Sequence, residues 1–340
     1  MKGVLVVLAK LAFTVALLAL VVRAFDVRGV TDHLARIGIA DALLLAGIAL
    51  AVVPLQALRW HAVLAANGTP LPLPRVLSIL LIGHFFNQTL PSSVGGDAVR
   101  MWCAYRAGLA ASDAVATVIV DRAASLLGML ALTACGLPWL LELVPDSRAR
   151  LAVVILVASG IGSFAAAAIL ARFSRLLPEW WIARPLLILA ALASRVSASP
   201  RHLSAILALS IAAGVMFSAM VFQASRALGA GLSLAECVLL VPPVLLVSAI
   251  PVSVAGWGLR EGAMVVALGF VGIAPAPAFA ISVLFGLGIA VASLPGAGLW
   301  LAGGRAAGSL AQAVGLAVGT DPGSVSAASR VHTGARRGSS

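Results

Sequence analysis

Six ionisable residues lie inside stretches that are otherwise apolar: Asp97 and Arg100, Asp121 and Arg122, Arg260 and Glu261. At membrane depth each such residue costs about 2.5–3.5 kcal/mol on insertion scales, so it is a functional candidate by default. Four of the six follow a break. "LPSSVGGDAVR" (90–100) and "IPVSVAGWGLR" (250–260) each interrupt an apolar run with proline and small residues, and each ends on an arginine. A new half-helix begins there. Unpaired backbone N–H groups and the positive end of the helix dipole gather at its start. Small residues let a ligand approach the backbone, and the guanidinium fork suits phosphate. This is chemistry for an anion. The candidate binding set is Arg100, Arg260, Asp97, Glu261, Asp121 and Arg122, with Asn87, Ser93, Gly95, Gly96, Ser253, Gly256 and Gly258 around the breaks. Asp97 and Glu261 also have a plainer reading as caps of the helices they open.

The two breaks align without a gap. Pro91 falls on Pro251, Ser93 on Ser253, Val94 on Val254, Gly96 on Gly256 and Arg100 on Arg260. Matching Gly/Pro-interrupted hydrophobic segments are the best sequence pointer to a transporter's binding site. Non-helical backbone at membrane depth is tolerated only where it is buried in protein or lines a wet cavity. Asp121 and Arg122 are neighbours within "VATVIVDRAASLLGML", and sequence neighbours do not face each other on a helix. Each therefore needs a partner elsewhere. Asp121 with Arg100 or Arg260 is the structural reading, and direct contact with a ligand is the other. Asn87, in the polar stretch "GHFFNQTLP", either ties down backbone freed around Pro91 or reaches the ligand.

The elements that hold these residues are membrane helices. The chain of 340 residues is 61% hydrophobic and 10% charged, against about 25% charged in soluble domains. Its mean hydropathy is +1.10. Several runs reach the roughly 20 apolar residues that span a bilayer, and they lack the alternation of a transmembrane barrel. The expected architecture is an all-α polytopic membrane protein. Six full spans are expected, at 3–22, 39–57, 113–136, 151–171, 203–225 and 276–302. Two re-entrant helical hairpins occupy the interrupted segments 76–110 and 234–273. Three spans separate the hairpins, which makes them an inverted repeat with the N-terminus inside. Residues 29–38 read as an interfacial helix. Residues 172–201, with Trp180, Trp181 and several arginines, read as a basic cytoplasmic loop. A transmembrane lipid-handling domain covers 1–304, and a disordered basic cytoplasmic tail covers 305–340.

The net charge of +11 sits mostly between spans and in the tail. That placement fits cytoplasmic loops beside anionic headgroups, not nucleic-acid binding. Cys103, Cys135 and Cys237 lack metal-ligand spacing and read as small buried hydrophobes. No phosphate-binding loop, acidic metal cluster or nucleophile triad appears, so the sequence calls for no metal and no cofactor.

Three stretches resemble the signature segments of the lysylphosphatidylglycerol synthase transmembrane-region family. "NQTLPSSVGGDAVR" resembles its N-x-x-L-P…G-G-D-x-x-R pattern. "VIVDRAASLLGML" resembles its acidic–Arg pair, with Asp121 where Glu is common. "IPVSVAGWGLREGA" resembles its P-x-S-x-x-G-x-G-x-R-E pattern, with Ala255 and Trp257 the less usual choices. The resemblance spans roughly residues 1–304 and implies lipid handling. In multiple-peptide-resistance-factor proteins a similar membrane domain flips aminoacylated phosphatidylglycerol, and a soluble C-terminal domain performs the aminoacylation. Only a short tail follows the last expected span here, so the expectation is a chain without synthase activity.

Three functions stay open at this stage. The first is an ATP-independent flippase or transporter, in the bacterial inner membrane, for a lipid with an anionic or phosphate headgroup. The second is a membrane enzyme on a lipid-linked substrate, although no catalytic constellation stands out. The third is an accessory subunit of a lipid pathway, such as hopanoid or modified-phospholipid synthesis. Homo-oligomers and lipid-biosynthesis enzymes are the protein partners to consider.

Overall fold

The computed structural model describes residues 37–90, 95–172, 196, 199–250 and 258–303. Outside the described residues lie the expected span 3–22, nearly all of the interfacial segment 29–38, most of the loop 172–201 and the tail 305–340. Ser93, Ser253 and Gly256 lie outside them as well.

Every described element is helical. In chain order they are α1 (Ile39–Ala66), α2 (Leu73–Thr89), α3 (Gly95–Arg106), α4 (Ala111–Cys135), α5 (Leu137–Leu143), α6 (Ser147–Arg172), α7 (Pro200–Ala227), α8 (Leu234–Ser248), α9 (Leu259–Gly269) and α10 (Pro275–Ala302). Five of them, α1, α4, α6, α7 and α10, are long and apolar enough to cross a bilayer, so this is a multi-pass membrane protein. The interrupted segments are helical hairpins of shorter pieces: α2 and α3 around the first break, α8 and α9 around the second. Two boundaries differ from the sequence reading. The expected span 39–57 continues to Ala66, because Arg59 is buried in the helix and does not end it. A short helix, α5, follows Gly136.

The order helix–hairpin–helix occurs twice, as α1–α2/α3–α4 and α7–α8/α9–α10. The packing repeats with it. Exchanging α1 with α7, α2 with α8, α3 with α9 and α4 with α10 turns the main interfaces into one another: α10 on α2 becomes α4 on α8, and α3 on α4 becomes α9 on α10. The most extensive interface joins the equivalent pair α1 and α7. They run antiparallel. Near the start of α1, Asp41 accepts a hydrogen bond from Gln223 Nε2 near the end of α7, at 2.9 Å. At the other end, Trp60 and Leu64 of α1 share a hydrophobic core with Ile206 of α7.

Two cores result. One surrounds the first hairpin and draws in the second half of α1 and the start of α7. The other surrounds the second hairpin with the first half of α1 and the end of α7. Small residues allow the helices to close up. A side chain at Gly296 of α10 would run into the Leu81 backbone of α2, and one at Gly128 of α4 into Ser210 of α7. Buried hydroxyls on these helices, including Ser210, Ser218 and Thr133, donate to a carbonyl four residues back, which satisfies them without a partner helix.

Candidate functional site

The first hairpin brings Asp97, Arg100, Asp121 and Arg122 into one cluster, and α1 adds Arg59. The five form a line of alternating charge. Arg59 Nε donates to Asp121 Oδ1 at 2.8 Å. Arg100 Nη2 donates to Asp121 Oδ2 at 2.9 Å and Arg100 Nη1 lies 3.5 Å from Asp97 Oδ1. Arg122 grips Asp97 with two donors, Nε at 2.6 Å and Nη2 at 3.0 Å. The sequence neighbours Asp121 and Arg122 thus point to different partners, as helix geometry requires. Asp97 spends its carboxylate on arginines.

The inner part of the line is sealed: Arg59, Arg100 and Asp121 are buried. Arg122 is the outer end, with a side chain 48% exposed. It is the twelfth residue of the 25-residue α4, so the cluster reaches the protein surface near the middle of a span. Three arginines face two aspartates, which leaves one positive charge without a counter-ion in the line. Spare donors accompany it. Among the described residues Arg59 Nη1, Arg100 Nε and Trp60 Nε1 are buried and have no hydrogen-bond partner, while Trp60 also lies under the Arg100 guanidinium, 4.4 Å from ring centroid to Cζ.

The hairpin is shaped to hold Arg100 there. A side chain at Gly83 of α2 would occupy the place of the Arg100 stem, and one at Gly96 of α3 would strike the Gly83 carbonyl and Asn87. Asn87 Oδ1 accepts the Gly96 N–H at 3.0 Å, taking up one of the free amides of the first turn of α3. Gly95 packs its backbone on Leu90.

The second hairpin is wired differently. Arg260 donates through Nε to Glu261 Oε1 at 3.0 Å and adds a second bond from Nη2. The other Glu261 oxygen accepts the Gly258 N–H, and Ser282 Oγ lies 3.4 Å from Oε1. Glu261 thus caps α9, and adjacent residues pair because its side chain folds back onto the helix start. Gly258 has φ +89°, a conformation glycine adopts without steric cost. The two hairpins diverge at one telling place. Asp121 and Phe285 are each the eleventh residue of their helices, α4 and α10. Arg100 meets the carboxylate of Asp121, whereas the Arg260 guanidinium lies 5.5 Å from the Phe285 ring centre.

Two site residues were not legible in the sequence. Arg59 and Trp60 fall just beyond the point where a hydropathy window closes the first described span. The signal that would have found them is the apolar spacing that continues through Val63 and Leu64. Cys103 and Cys237 are buried as expected, but Cys135, the last residue of α4, is exposed. Among the described residues no group of three or more His, Cys, Asp and Glu is placed to hold a metal ion.

A family sequence model described as "Lysylphosphatidylglycerol synthase TM region" matches residues 7–296. No curated protein matches the chain significantly.

Proposed function

The chain belongs to this lysylphosphatidylglycerol synthase TM-region family, and from that premise we propose that it carries a lipid with an anionic or phosphate headgroup across the bacterial cytoplasmic membrane without ATP. The observation that carries the reading is the set of buried donors on Arg59, Trp60 and Arg100 with no hydrogen-bond partner among the described residues, in a line whose three arginines outnumber its two aspartates. A buried donor left without an acceptor is costly, and an anionic headgroup supplies the missing acceptors. The line then runs outward through Asp97 to the half-exposed Arg122, which gives a headgroup a polar route from the mid-membrane surface. The acyl chains stay in the bilayer while it moves.

The architecture supports the same reading. The hairpins are re-entrant in this reading, since α3, α8 and α9 are too short to span separately. The antiparallel packing of the equivalent helices α1 and α7 supports an inverted repeat, the common plan of carriers that expose one site alternately to each side. The divergence between hairpins supports headgroup binding at the first. Arg260, held by Glu261, then anchors the second hairpin and meets the lipid secondarily. As a carrier the protein makes and breaks no covalent bond.

Purified protein in liposomes containing trace fluorescent phosphatidylglycerol tests the proposal. Carrier activity exposes inner-leaflet label to an impermeant quencher without added nucleotide. Label protection equal to that of protein-free liposomes, for phosphatidylglycerol and every other anionic phospholipid tried, would reject it.

A further inference from the structure

Between α5 and α6 on one side and the second hairpin on the other lies an apolar groove of about 710 Å³. Its walls are Leu140 and Val144 around α5, Ala152 and Leu156 of α6, Val244 of α8 and Ala263 of α9. Ser159 is the polar side chain on the wall, and its hydroxyl donates to the Leu156 carbonyl. Apart from the Ser159 oxygen, no side chain among the described lining residues offers water a partner, and a site without about two to four polar partners does not hold water. Protein interiors and bilayers are both condensed phases, and a dry gap of this size between packed helices does not stand empty.

The groove opens sideways to the bilayer. Ile155 on the α6 rim is 56% exposed and Val266 on the α9 rim is 59% exposed. Its α6 wall runs from Ala149 to Ser159, about 15 Å at 1.5 Å per residue. That is about half of the roughly 30 Å hydrocarbon core, the depth of one leaflet. Gly262 widens the groove. It lines the groove from inside α9, where glycine costs about 1 kcal/mol relative to alanine. Yet a side chain there would meet no atom within 4 Å. The space beside Gly262 is therefore open and adds room to the groove.

We infer that this groove is a binding site for one acyl chain of a membrane lipid, entering laterally between Ile155 and Val266 with its terminus directed along α6 and α9. The site is defined by hydrocarbon and is separate from the headgroup site proposed above.

The test uses the full chain in phosphatidylglycerol nanodiscs doped with a phosphatidylglycerol that carries a diazirine at the acyl terminus. After illumination, adducts are mapped by mass spectrometry. The groove reading expects adducts on Ala152, Ile155, Leu156 and Ala263 well above those on Leu43 and Leu50, which are exposed on α1. Gly262→Trp, filling open space, lowers the groove adducts several-fold and leaves the α1 adducts unchanged. Gly262→Ala retains most of the labelling and serves as the folding control. Equal adduct density on α1 and on the groove overturns the inference, as does labelling indifferent to Gly262→Trp. Crosslinks that join the groove to residues 1–22 of the same chain also overturn it, since a protein segment would then be the occupant. Arg59→Gln keeps the groove adducts whatever it does to transport, so failure of the headgroup site is read separately.

Discussion

Asp121→Asn is the sharpest perturbation of the charge line. Asp121 is 1% exposed and is shared by two buried arginines. The substitution keeps the size and one acceptor but removes the charge, leaving Arg59, Arg100 and Arg122 facing Asp97 alone. Removing one partner of a buried ion pair costs about 3–5 kcal/mol. Hydrogen bonds between membrane helices average only about 0.6 kcal/mol, so most of the expected loss comes from the uncompensated charge. A loss of about 3 kcal/mol is expected. Adding Arg59→Gln removes one of the stranded cations and restores the original excess of a single positive charge. The double variant should therefore be more stable than Asp121→Asn alone, with a favourable coupling of about 1 kcal/mol or more for residues in direct contact. The assay is the fraction of monodisperse protein surviving graded heating, for wild type, both single variants and the double variant. If Asp121→Asn survives as wild type does, or if Arg59→Gln adds to its damage, the charge-balance argument is wrong.

Other expectations follow from packing and capping. Asn87→Ala strands the Gly96 N–H and should cost about 1–3 kcal/mol, read as earlier loss of the folded fraction on heating. Gly296→Leu drives a side chain into the Leu81 backbone; separation of α10 from α2 should appear as loss of a cysteine crosslink engineered across that interface. Ser233→Ala breaks the capping box in which Ser233 Oγ accepts the Glu236 N–H at 3.2 Å. The expected cost is about 1 kcal/mol, visible as faster hydrogen exchange confined to the first turn of α8.

What the sequence disclosed follows the cost of each feature in a membrane. The hairpins were legible because Pro91, Pro251 and the glycines beside them are expensive in a span and therefore conspicuous. Asp97, Arg100, Asp121 and Arg122 were legible because charge is rare there, and one of the cross-helix partners considered for Asp121, Arg100, is the one found. Arg59 was hidden by the same reasoning, since a charge at the edge of an apolar run reads as the end of the run. Its burial depends on α4 and α3 closing around it, which only the assembled fold provides. The asymmetry of the hairpins was hidden too. The breaks match residue for residue, and the difference lies in the helices that follow, where Phe285 takes the place of Asp121.

The central claim is that Arg59 and Arg100 hold a lipid headgroup. The most direct measurement compares transport of fluorescent phosphatidylglycerol and phosphatidylcholine in liposomes by wild type and Arg59→Gln, at matched amounts of monodisperse protein. A hydrogen bond to a charged group is worth about 1.5–3 kcal/mol, so Arg59→Gln should slow the anionic lipid by about tenfold or more and change the zwitterionic lipid less. Equal phosphatidylglycerol rates in the two proteins would contradict the account.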